Sequence, residues 1–324
     1  NELTNLDVSA NTELAELSVY GNELTILNVS ANTELTALSL SNNELTSLDL
    51  STNTALTTLN LDHNKLTNLD VSANTALTEL RVYDNELTNL DVSTNTELIS
   101  LVIGYNALTS LDVTAITALN NLDCQTNELT NLDLSTNTVL TYLESGDNEL
   151  TNLDVSANTA LTELRVSGNE LTSLDVSTNT ALTILDVYDN ELTYLNMKNG
   201  VTDQLYIFTA TENALTCIEV NAEHVAYATA NWASSIDTGV TFSETCLIPE
   251  NPNYTYVPDN NFEQALIDLG YDSVLDDFVL TENISGVNFL NLEGKEISDL
   301  TGIADFTALT FLSCYNNELT NVDV

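Results

Sequence analysis

Leucine and valine follow a fixed, short pattern along most of the chain. Leu77, Leu80, Val82, Asn85 and Leu87 are spaced as Leu-x-x-Leu-x-Val-x-x-Asn-x-Leu, and this frame recurs every 21 residues. Each 21-residue unit has a second, similar half, so the Leu-x-Val alternation of a half-buried strand occurs twice per unit. A short period predicts one supersecondary unit stacked on copies of itself. We therefore expect a β-solenoid, mostly strands and turns, with extended segments on two faces. The frame begins at Leu14, Leu35, Leu56, Leu77, Leu98, Leu119, Leu140, Leu161 and Leu182.

Asparagine marks both corners of each predicted coil, where a coil is one 21-residue turn of the solenoid. The asparagine amide can satisfy backbone groups at turns that no sheet reaches. The first ladder comprises Asn22, Asn43, Asn64, Asn85, Asn106, Asn127, Asn148, Asn169 and Asn190. The second comprises Asn11, Asn32, Asn53, Asn74, Asn95, Asn137, Asn158 and Asn179. Ile116 interrupts the second ladder, so we expect one turn there to differ.

The repeat pattern also predicts how the chain is divided. We expect a repeat array at residues 1–200, followed at 201–248 by a cap that covers its last strand edge. Residues 249–257, with two prolines, indicate a short, stiff linker. Residues 258–286 have apolar residues at helical spacing and predict a small helical cap. Residues 287–324 restart the repeat and are expected to begin a second array.

The chain is strongly acidic. Among its 324 residues, five Lys and Arg stand against 49 Asp and Glu, which gives a formal net charge of -44 at pH 7. Nucleic acid and anionic membrane surfaces need cationic contacts, so both are excluded as expected partners. No apolar run approaches the roughly 18 residues of a membrane span. The sequence starts in the middle of a repeat without an initiator Met, and we interpret it as a mature fragment of a longer protein.

The four cysteines fall into two groups. Cys124 and Cys314 occupy an inward strand position and are expected to be buried free thiols that act as small hydrophobes. Cys217 and Cys246 lie in the segment that ends the array. A disulfide between them would close a loop of about 30 residues and contribute roughly 3 kcal/mol. That pairing indicates an oxidising compartment.

The motif Leu-x-x-Leu-x-Leu/Val-x-x-Asn-x-Leu resembles the leucine-rich repeat, and the 21-residue variant with Leu-Asp-Val-Ser-x-Asn-Thr resembles secreted and cell-surface repeat proteins of marine flavobacteria and other Bacteroidetes. The segment from Cys217 to Cys246, with Trp232, looks like the C-terminal cap of that group. The segment from Val257 to Leu309 looks like its N-terminal cap and is distantly similar to the internalin cap. The resemblance implies adhesion or recognition and names no ligand.

Outward positions of the first-face strands have variable residues. Exposed tyrosines beside charged residues are a reasonable platform for a protein or a glycan. The alternative is that these residues are solvated cross-strand pairs that stabilise the sheet. The candidate ligand-binding residues are Tyr20, Glu79, Arg81, Tyr83, Glu163, Arg165, Tyr188 and Tyr315.

One position of the second face is acidic in coil after coil. Carboxylates at the strand spacing of about 4.8 Å repel one another, so something must offset the repulsion. Local hydrogen bonds from Ser and Thr together with salt screening are one explanation. Bound Ca²⁺ is the other, although one carboxylate per coil provides few of the 6–8 oxygens that Ca²⁺ prefers. The candidate metal ligands are Asp49, Asp70, Asp91, Asp112, Asp133, Asp154 and Asp175.

No catalytic motif is found, and the two histidines, His63 and His224, lie in different regions. We therefore expect a non-enzymatic extracellular scaffold or adhesin, at the cell surface or secreted, that binds proteins or glycans. The alternative is a structural subunit of a head-to-tail stalk or filament, since an uncapped solenoid end exposes strand edges. In that hypothesis the assembly ends are Asn1 and Leu3 at the start, and Asn317 and Leu319 near the end.

Overall fold

The computed structural model describes residues 2–246, 254–272, 275 and 278–319. The chain forms two compact units, Asn1–Cys246 and Leu247–Val324. No described helix is both long enough and apolar enough to cross a membrane.

The first face of the first unit is a ten-stranded parallel sheet with one strand per coil. Successive strands pair in register, so that Leu80 lies beside Leu59 on one side and Leu101 on the other. The predicted leucine-rich repeat solenoid is confirmed. The strands are Glu16–Ser18 (β1), Ala37–Ser39 (β2), Thr58–Asn60 (β3), Glu79–Arg81 (β4), Ser100–Val102 (β5), Asn121–Asp123 (β6), Tyr142–Glu144 (β7), Glu163–Arg165 (β8), Ile184–Asp186 (β10) and Ile207–Thr209 (β12).

The second face forms a sheet only at the end of the unit. Ser173–Asp175 (β9), Tyr194–Met197 (β11), Cys217–Val220 (β13) and Thr241–Ser243 (β14) pair in parallel there. Between residues 2 and 172 every strand belongs to the first face. In those coils the second-face segments are held by inward leucines and by the corner asparagines instead of a β-ladder.

The core is a stack of similar layers. In one coil Leu77, Leu80, Val82 and Leu87 have no exposed surface, and Val92 is 1% exposed. The matching residues of the next coil pack directly on this layer, so the core extends with each added coil. Truncating one such leucine to alanine costs about 2–5 kcal/mol in a well-packed interior.

The first asparagine ladder connects the corners of neighbouring coils. Asn85 Oδ1 accepts a hydrogen bond from the backbone N–H of Leu66 at 3.1 Å, and its Nδ2 donates to the carbonyls of Leu61 at 3.0 Å and Val82 at 3.3 Å. The same pattern recurs at Asn64 and Asn106. Each side chain therefore satisfies backbone groups of its own coil and of the preceding one.

The second ladder works through its donors. Asn74 Nδ2 donates to the carbonyls of Leu50 at 3.2 Å and Asn53 at 2.8 Å in the preceding coil. The buried Oδ1 atom of Asn74 has no hydrogen-bond partner in the described part of the protein. Ile116, which is fully buried, replaces the amide in one coil, so the carbonyls of Val92 and Asn95 receive no such donor.

Aromatic residues and a disulfide close the end of the first unit. A short helix, Val225–Asn231 (α1), lies among them. Trp232 is 7% exposed, and its ring centroid lies 4.7 Å from that of Phe208 and 6.1 Å from that of Phe242. The predicted Cys217–Cys246 disulfide is confirmed, with 5.6 Å between the Cα atoms. The 3₁₀ helices Thr202–Gln204 and Ala222–His224 also belong to this segment.

Cys124 and Cys314 are unpaired, as predicted. Cys124 is fully buried in the array core, and burial raises the pKa of its thiol strongly. Cys314 is only half-buried, because it follows Phe311–Ser313 (β18), which among the described residues pairs with one strand, Phe289–Asn291. The expectation of burial was therefore wrong for Cys314.

The second unit combines a small cap with two repeat strands. Tyr254–Tyr256 (β15) pairs antiparallel with Phe278–Leu280 (β16), although residues 254–256 were expected to belong to a linker. Their backbone pairing and the 2.7 Å hydrogen bond from Thr255 to Asp305 fix them in the unit. Residues 249–253 of that expected linker lie outside the described residues. The other elements are Asn260–Asp268 (α2), Thr281–Ser285 (α3), the 3₁₀ helix Ile303–Asp305 and Phe289–Asn291 (β17), which pairs in parallel with β18.

Asp259 is the N-cap of α2. The Asp259 carboxylate accepts hydrogen bonds from the backbone N–H of Asn261 and Phe262, and also from that of Ser298 at 2.8 Å. It therefore caps the helix and fastens it to the repeat strands. After α2 the chain turns through Gly270, at φ +79°, which an L side chain would rarely adopt.

Replacing Ile116 with asparagine tests the role of the second ladder. We expect Ile116→Asn to change the free energy of unfolding by no more than about 1 kcal/mol, because the new amide can donate to the Val92 and Asn95 carbonyls. The control is Ile103→Asn in the same coil, which places an amide among aliphatic side chains and should cost about 2–5 kcal/mol. Urea unfolding measures both, and equal losses would contradict this account.

Candidate functional site

Variation between coils is concentrated on the outer side of the ten-stranded sheet. In β4 the central Leu80 is buried, whereas the flanking Glu79 and Arg81 face outward and are half-buried. On the second face the sequence Leu-Asp-Val-Ser changes little from coil to coil. One outward position, two residues beyond each strand, is occupied by Tyr20, Ser41, Asp62, Tyr83, Gly104, Gln125, Gly146, Ser167 and Tyr188.

A groove of about 390 Å³ lies on this surface, lined by Arg81, Tyr83, Asp123, Gln125 and Tyr142 among others. Gly104 stands at the position where the neighbouring coils have Tyr83 and Gln125. A Cβ atom on Gly104 would lie 2.9 Å from Asp123 Oδ1 and 3.0 Å from Gln125 Cγ. The glycine therefore leaves room for these two side chains to pack over it.

Arg81 is fixed by a carboxylate of the preceding coil. Its Nε and Nη2 atoms lie 2.9 and 2.8 Å from Asp62 Oδ2, while Asp62 Oδ1 accepts the backbone N–H of Tyr83 at 2.9 Å. Asp62 is buried, whereas the Arg81 side chain is 36% exposed, so only the carboxylate is shielded from water. The contact joins two coils, because Asp62 precedes Arg81 by 19 residues.

Arg165 pairs with a carboxylate of its own strand. Its Nη2 lies 3.3 Å from Glu163 Oε2, and its Nε lies 3.6 Å from Glu144 Oε2 on the neighbouring strand. The two arginines predicted from the sequence therefore lie on the same face with their partners. Arg81 lines the groove, and Arg165 follows on β8.

Asp123 and Glu144 face each other across β6 and β7 and form what we call the carboxylate pair. Burial raises the pKa of Glu144 from 4.5 to about 7, with the Asp123 charge adding to the shift and Arg165 opposing it. Burial also raises the pKa of Asp123, against hydrogen bonds from Gln125 and the charge of Arg81. Like charges at directly opposed positions are unfavourable in a sheet.

Our sequence prediction missed the carboxylate pair. A signal was available, since two acidic residues 21 positions apart interrupt a row in which other coils have Ser18, Ser39 and Asn60. Gly104 and Gly146 accompany them in the adjacent row. The same signal does not separate a buried pair from a solvated one, because burial depends on neighbouring coils.

The predicted tyrosines occupy different environments. Burial raises the pKa of Tyr83 to about 12, with Tyr105 and Asp123 adding to it, and the rings of Tyr83 and Tyr105 lie 4.9 Å apart. Tyr20 and Tyr188 have the same position in other coils and are 68% and 42% exposed. Tyr315 is 58% exposed and belongs to the second unit. Of these four predicted tyrosines, Tyr83 is the one that lines the groove with Arg81.

Each aspartate of the acidic ladder bonds to its own turn. The backbone N–H of the Ser or Thr two residues on donates to every one of these carboxylates, at 2.7 to 3.0 Å. The hydroxyl and the backbone N–H of that Ser or Thr both lower the pKa of the carboxyl group, and the hydroxyl has the larger effect. This holds for Asp49, Asp70, Asp91, Asp112, Asp133 and Asp154. Within the described residues, no three acidic, His or Cys side chains are grouped so as to hold a metal ion.

The residues of the assembly hypothesis are bonded within their own units. The Leu3 backbone N–H donates to Asn22 Oδ1 at 3.2 Å, and Asn317 Nδ2 donates to the Leu292 carbonyl at 2.7 Å. Leu319 packs against the core of the second unit. Asn1 and residues 320–324 lie outside the described part of the chain, so head-to-tail assembly stays a prediction.

Solved structures with similar folds include several bacterial proteins. The functional domain of InlJ from Listeria monocytogenes is 33% identical with a TM-score of 0.64, and the match covers 99% of this chain and 62% of that domain. The chain is a leucine-rich repeat protein. YopM from Yersinia enterocolitica is 27% identical, with a TM-score of 0.55 and coverage of 67% of this chain and 45% of YopM.

An internalin, InlF from Listeria monocytogenes, is 20% identical, with a TM-score of 0.53 and coverage of 72% of this chain and 84% of InlF, and so supports the fold alone. No family model and no curated protein sequence matches this leucine-rich repeat protein. The narrower resemblance to the Bacteroidetes type is not supported by these neighbours. The InlJ domain includes a cysteine ladder, whereas Cys124 is the only cysteine between Leu14 and Asn190 here.

The raised pKa of Glu144 predicts a pH-dependent stability change. In the unfolded chain this carboxyl ionises near 4.5 and in the folded protein near 7, so the folded state loses stability as the pH rises from about 4.5 through 7. We expect Glu144→Gln to raise Tm by a few degrees at pH 8 and to leave it nearly unchanged at pH 4.5. Calorimetry at both values tests this, with the exposed Glu149→Gln as control. A lower Tm at pH 8 would contradict it.

Salt should stabilise the protein through the acidic ladder, because neighbouring charges such as Asp49 and Asp91 still act on Asp70. We expect NaCl and CaCl₂ at matched ionic strength to raise Tm equally. The double variant Asp112→Asn/Asp133→Asn should gain less from either salt. A larger gain with CaCl₂ that this variant abolishes would show specific calcium binding instead.

Proposed function

We propose that the chain is a non-enzymatic recognition module, secreted or at the cell surface, that binds a protein partner on the outer side of the ten-stranded sheet. The observation that carries the proposal is the groove beside Tyr83 and Tyr142. It combines aromatic rings, a fixed guanidinium and half-buried carboxylates on the face where coils differ most.

The composition of this face supports a protein ligand. Tyrosine and arginine contribute disproportionately to the binding energy of protein interfaces, because both provide large contact areas together with directional hydrogen bonds. Arg81 is held in place by Asp62 before any ligand arrives, so little side-chain entropy is lost on binding. A glycan is the alternative ligand, and the experiment below separates the two.

The extracellular location rests on the disulfide. Cys217–Cys246 fastens β13 to the end of the first unit, and structural disulfides persist in oxidising compartments.

Peptide selection tests the proposal. A phage library of random nonapeptides is selected on the wild type and on Tyr83→Ser/Tyr142→Thr. Both substitutions introduce residues found at the same positions in other coils, Ser41 and Thr58, so the fold should be retained. We expect peptides selected on the wild type to lose at least about tenfold in recovery on this variant, which corresponds to about 1.4 kcal/mol.

The matched control is Asp112→Asn/Asp133→Asn on the second face, where Asn28 shows that asparagine is accepted at the position. Recovery on this variant should equal that on the wild type. Equal recovery on all three proteins would overturn the proposal. A glycan would replace the protein as the proposed ligand if two results were found together. No peptide would bind the wild type, and the wild type would bind glycans on an array that the tyrosine variant does not bind.

A further inference from the structure

We propose that the Cys217–Cys246 disulfide acts as a strap: when the two units of the chain are pulled apart, the bond transmits the pull directly to β13 and keeps it off the residues between the two cysteines. The inference concerns the chain between the units and does not depend on the proposed function. It follows from where the chain leaves the first unit, from how that exit is held, and from how weakly the bypassed segment is held.

The chain leaves the first unit at the disulfide itself. Cys246 is the last residue of that unit, and the second unit begins with the next residue. Its partner Cys217 is the first residue of β13 and lies 29 positions earlier in the chain. A pull from the second unit therefore meets a covalent bond to β13 before it meets residues 221–245, which we call the strapped segment. This segment contains α1, Trp232 and β14.

The exit is also held by a buried carboxylate of β13. The Cys246 backbone N–H donates to Glu219 Oε1 at 3.1 Å, and Glu219 is 6% exposed. The other oxygen, Glu219 Oε2, lies 3.1 Å from Lys198 Nζ and accepts the Tyr194 hydroxyl at 3.3 Å. Strand β13 itself is paired on both sides, with β11 and with β14. The pull is therefore received by the interior of the second-face sheet.

The strapped segment has little of its own to resist a pull. Helix α1 has seven residues, fewer than the roughly 12–15 that an isolated helix needs to be even marginally stable, and its one buried residue is Ala228. Among the described residues β14 pairs with β13 alone, so it lies at the edge of its sheet. A pull that reached β14 would separate these two strands one hydrogen bond at a time.

The strapped segment covers the last strand of the ten-stranded sheet. The Trp232 ring lies 4.7 Å from that of Phe208 in β12, and the Ala210 backbone N–H donates to the Ser235 carbonyl at 2.8 Å. The Asp237 carboxylate accepts two more backbone N–H groups of the turn after β12, at 3.1 and 3.0 Å. Loss of this segment would expose a strand edge. The strap therefore keeps the end of the first-face sheet closed while the chain is under tension.

Reduction under a constant pull tests the inference. The wild-type chain is held by its two ends in optical tweezers, just below the force at which the oxidised protein first extends, and dithiothreitol is added. We expect one step that adds about 90 Å of contour length, because residues 221–246 extend by roughly 3.5 Å each. Without a pull, the fluorescence of Trp232, the only tryptophan of the chain, should stay unchanged on reduction.

Two variants serve as controls. Cys217→Ser/Cys246→Ser should release the same length at the same force without dithiothreitol. Cys124→Val removes a cysteine outside the strap and introduces the residue that Val82 provides at the same position, so it should behave as the wild type.

Three results would overturn the inference. If alkylation shows both cysteines to be reduced and the held chain gains no length, the strapped segment resists the pull by itself. If the serine variant extends only at the force that extends the oxidised protein, the disulfide shields nothing weaker. If the Trp232 fluorescence changes on reduction without a pull, the disulfide stabilises the segment at rest and its role is not one of bearing tension.

Discussion

The structure depends on how the chain satisfies its backbone at the corners of each coil. A coil of 21 residues must turn repeatedly, and the peptide groups at those turns lie where no sheet can pair them. Asparagine amides supply the missing bonds, as Asn85 does for Leu66 in the preceding coil. Because these bonds connect each coil to its neighbour, the ladder positions and the inward leucines are constrained together. The outward positions are the ones left free to differ.

The carboxylates on the two faces of the solenoid are stabilised in different ways. Along the second face every aspartate of the ladder accepts a hydrogen bond from its own turn, as Asp70 does from Ser72, so the charge is held by local backbone in each coil. On the first face Asp123 accepts a longer bond of the same kind from Gln125, at 3.3 Å. Asp62 and Glu144 pair with the arginines Arg81 and Arg165, and Asp123 lies beside Glu144 on the neighbouring strand.

Much of this follows from the sequence, and the reasons for the exceptions are physical. The 21-residue period predicts the coil, the inward leucines and both asparagine ladders, because these depend on spacing alone. The disulfide and the cap at Asp259 are also local features. The pairing of Arg81 with Asp62 joins two coils. Whether Arg81 pairs with Asp62 or with Glu79 depends on side-chain geometry, which the spacing of residues does not give. The missing second-face ladder before Ser173 was not predicted, because alternation reports burial and not hydrogen bonding.

The carboxylate pair is informative because the repeat offers alternatives that avoid it. The same outward row holds Ser18, Ser39 and Asn60, so a neutral residue is compatible with the coil, and the adjacent row accepts side chains at most positions. Two carboxylates and two glycines nevertheless occur together in neighbouring coils, at a cost in stability when Glu144 is ionised. A solenoid stabilised coil by coil can sustain that local cost, because the surrounding coils contribute their own packing. Functional surfaces are where such unfavourable arrangements are expected to persist, because activity can require a locally destabilised site.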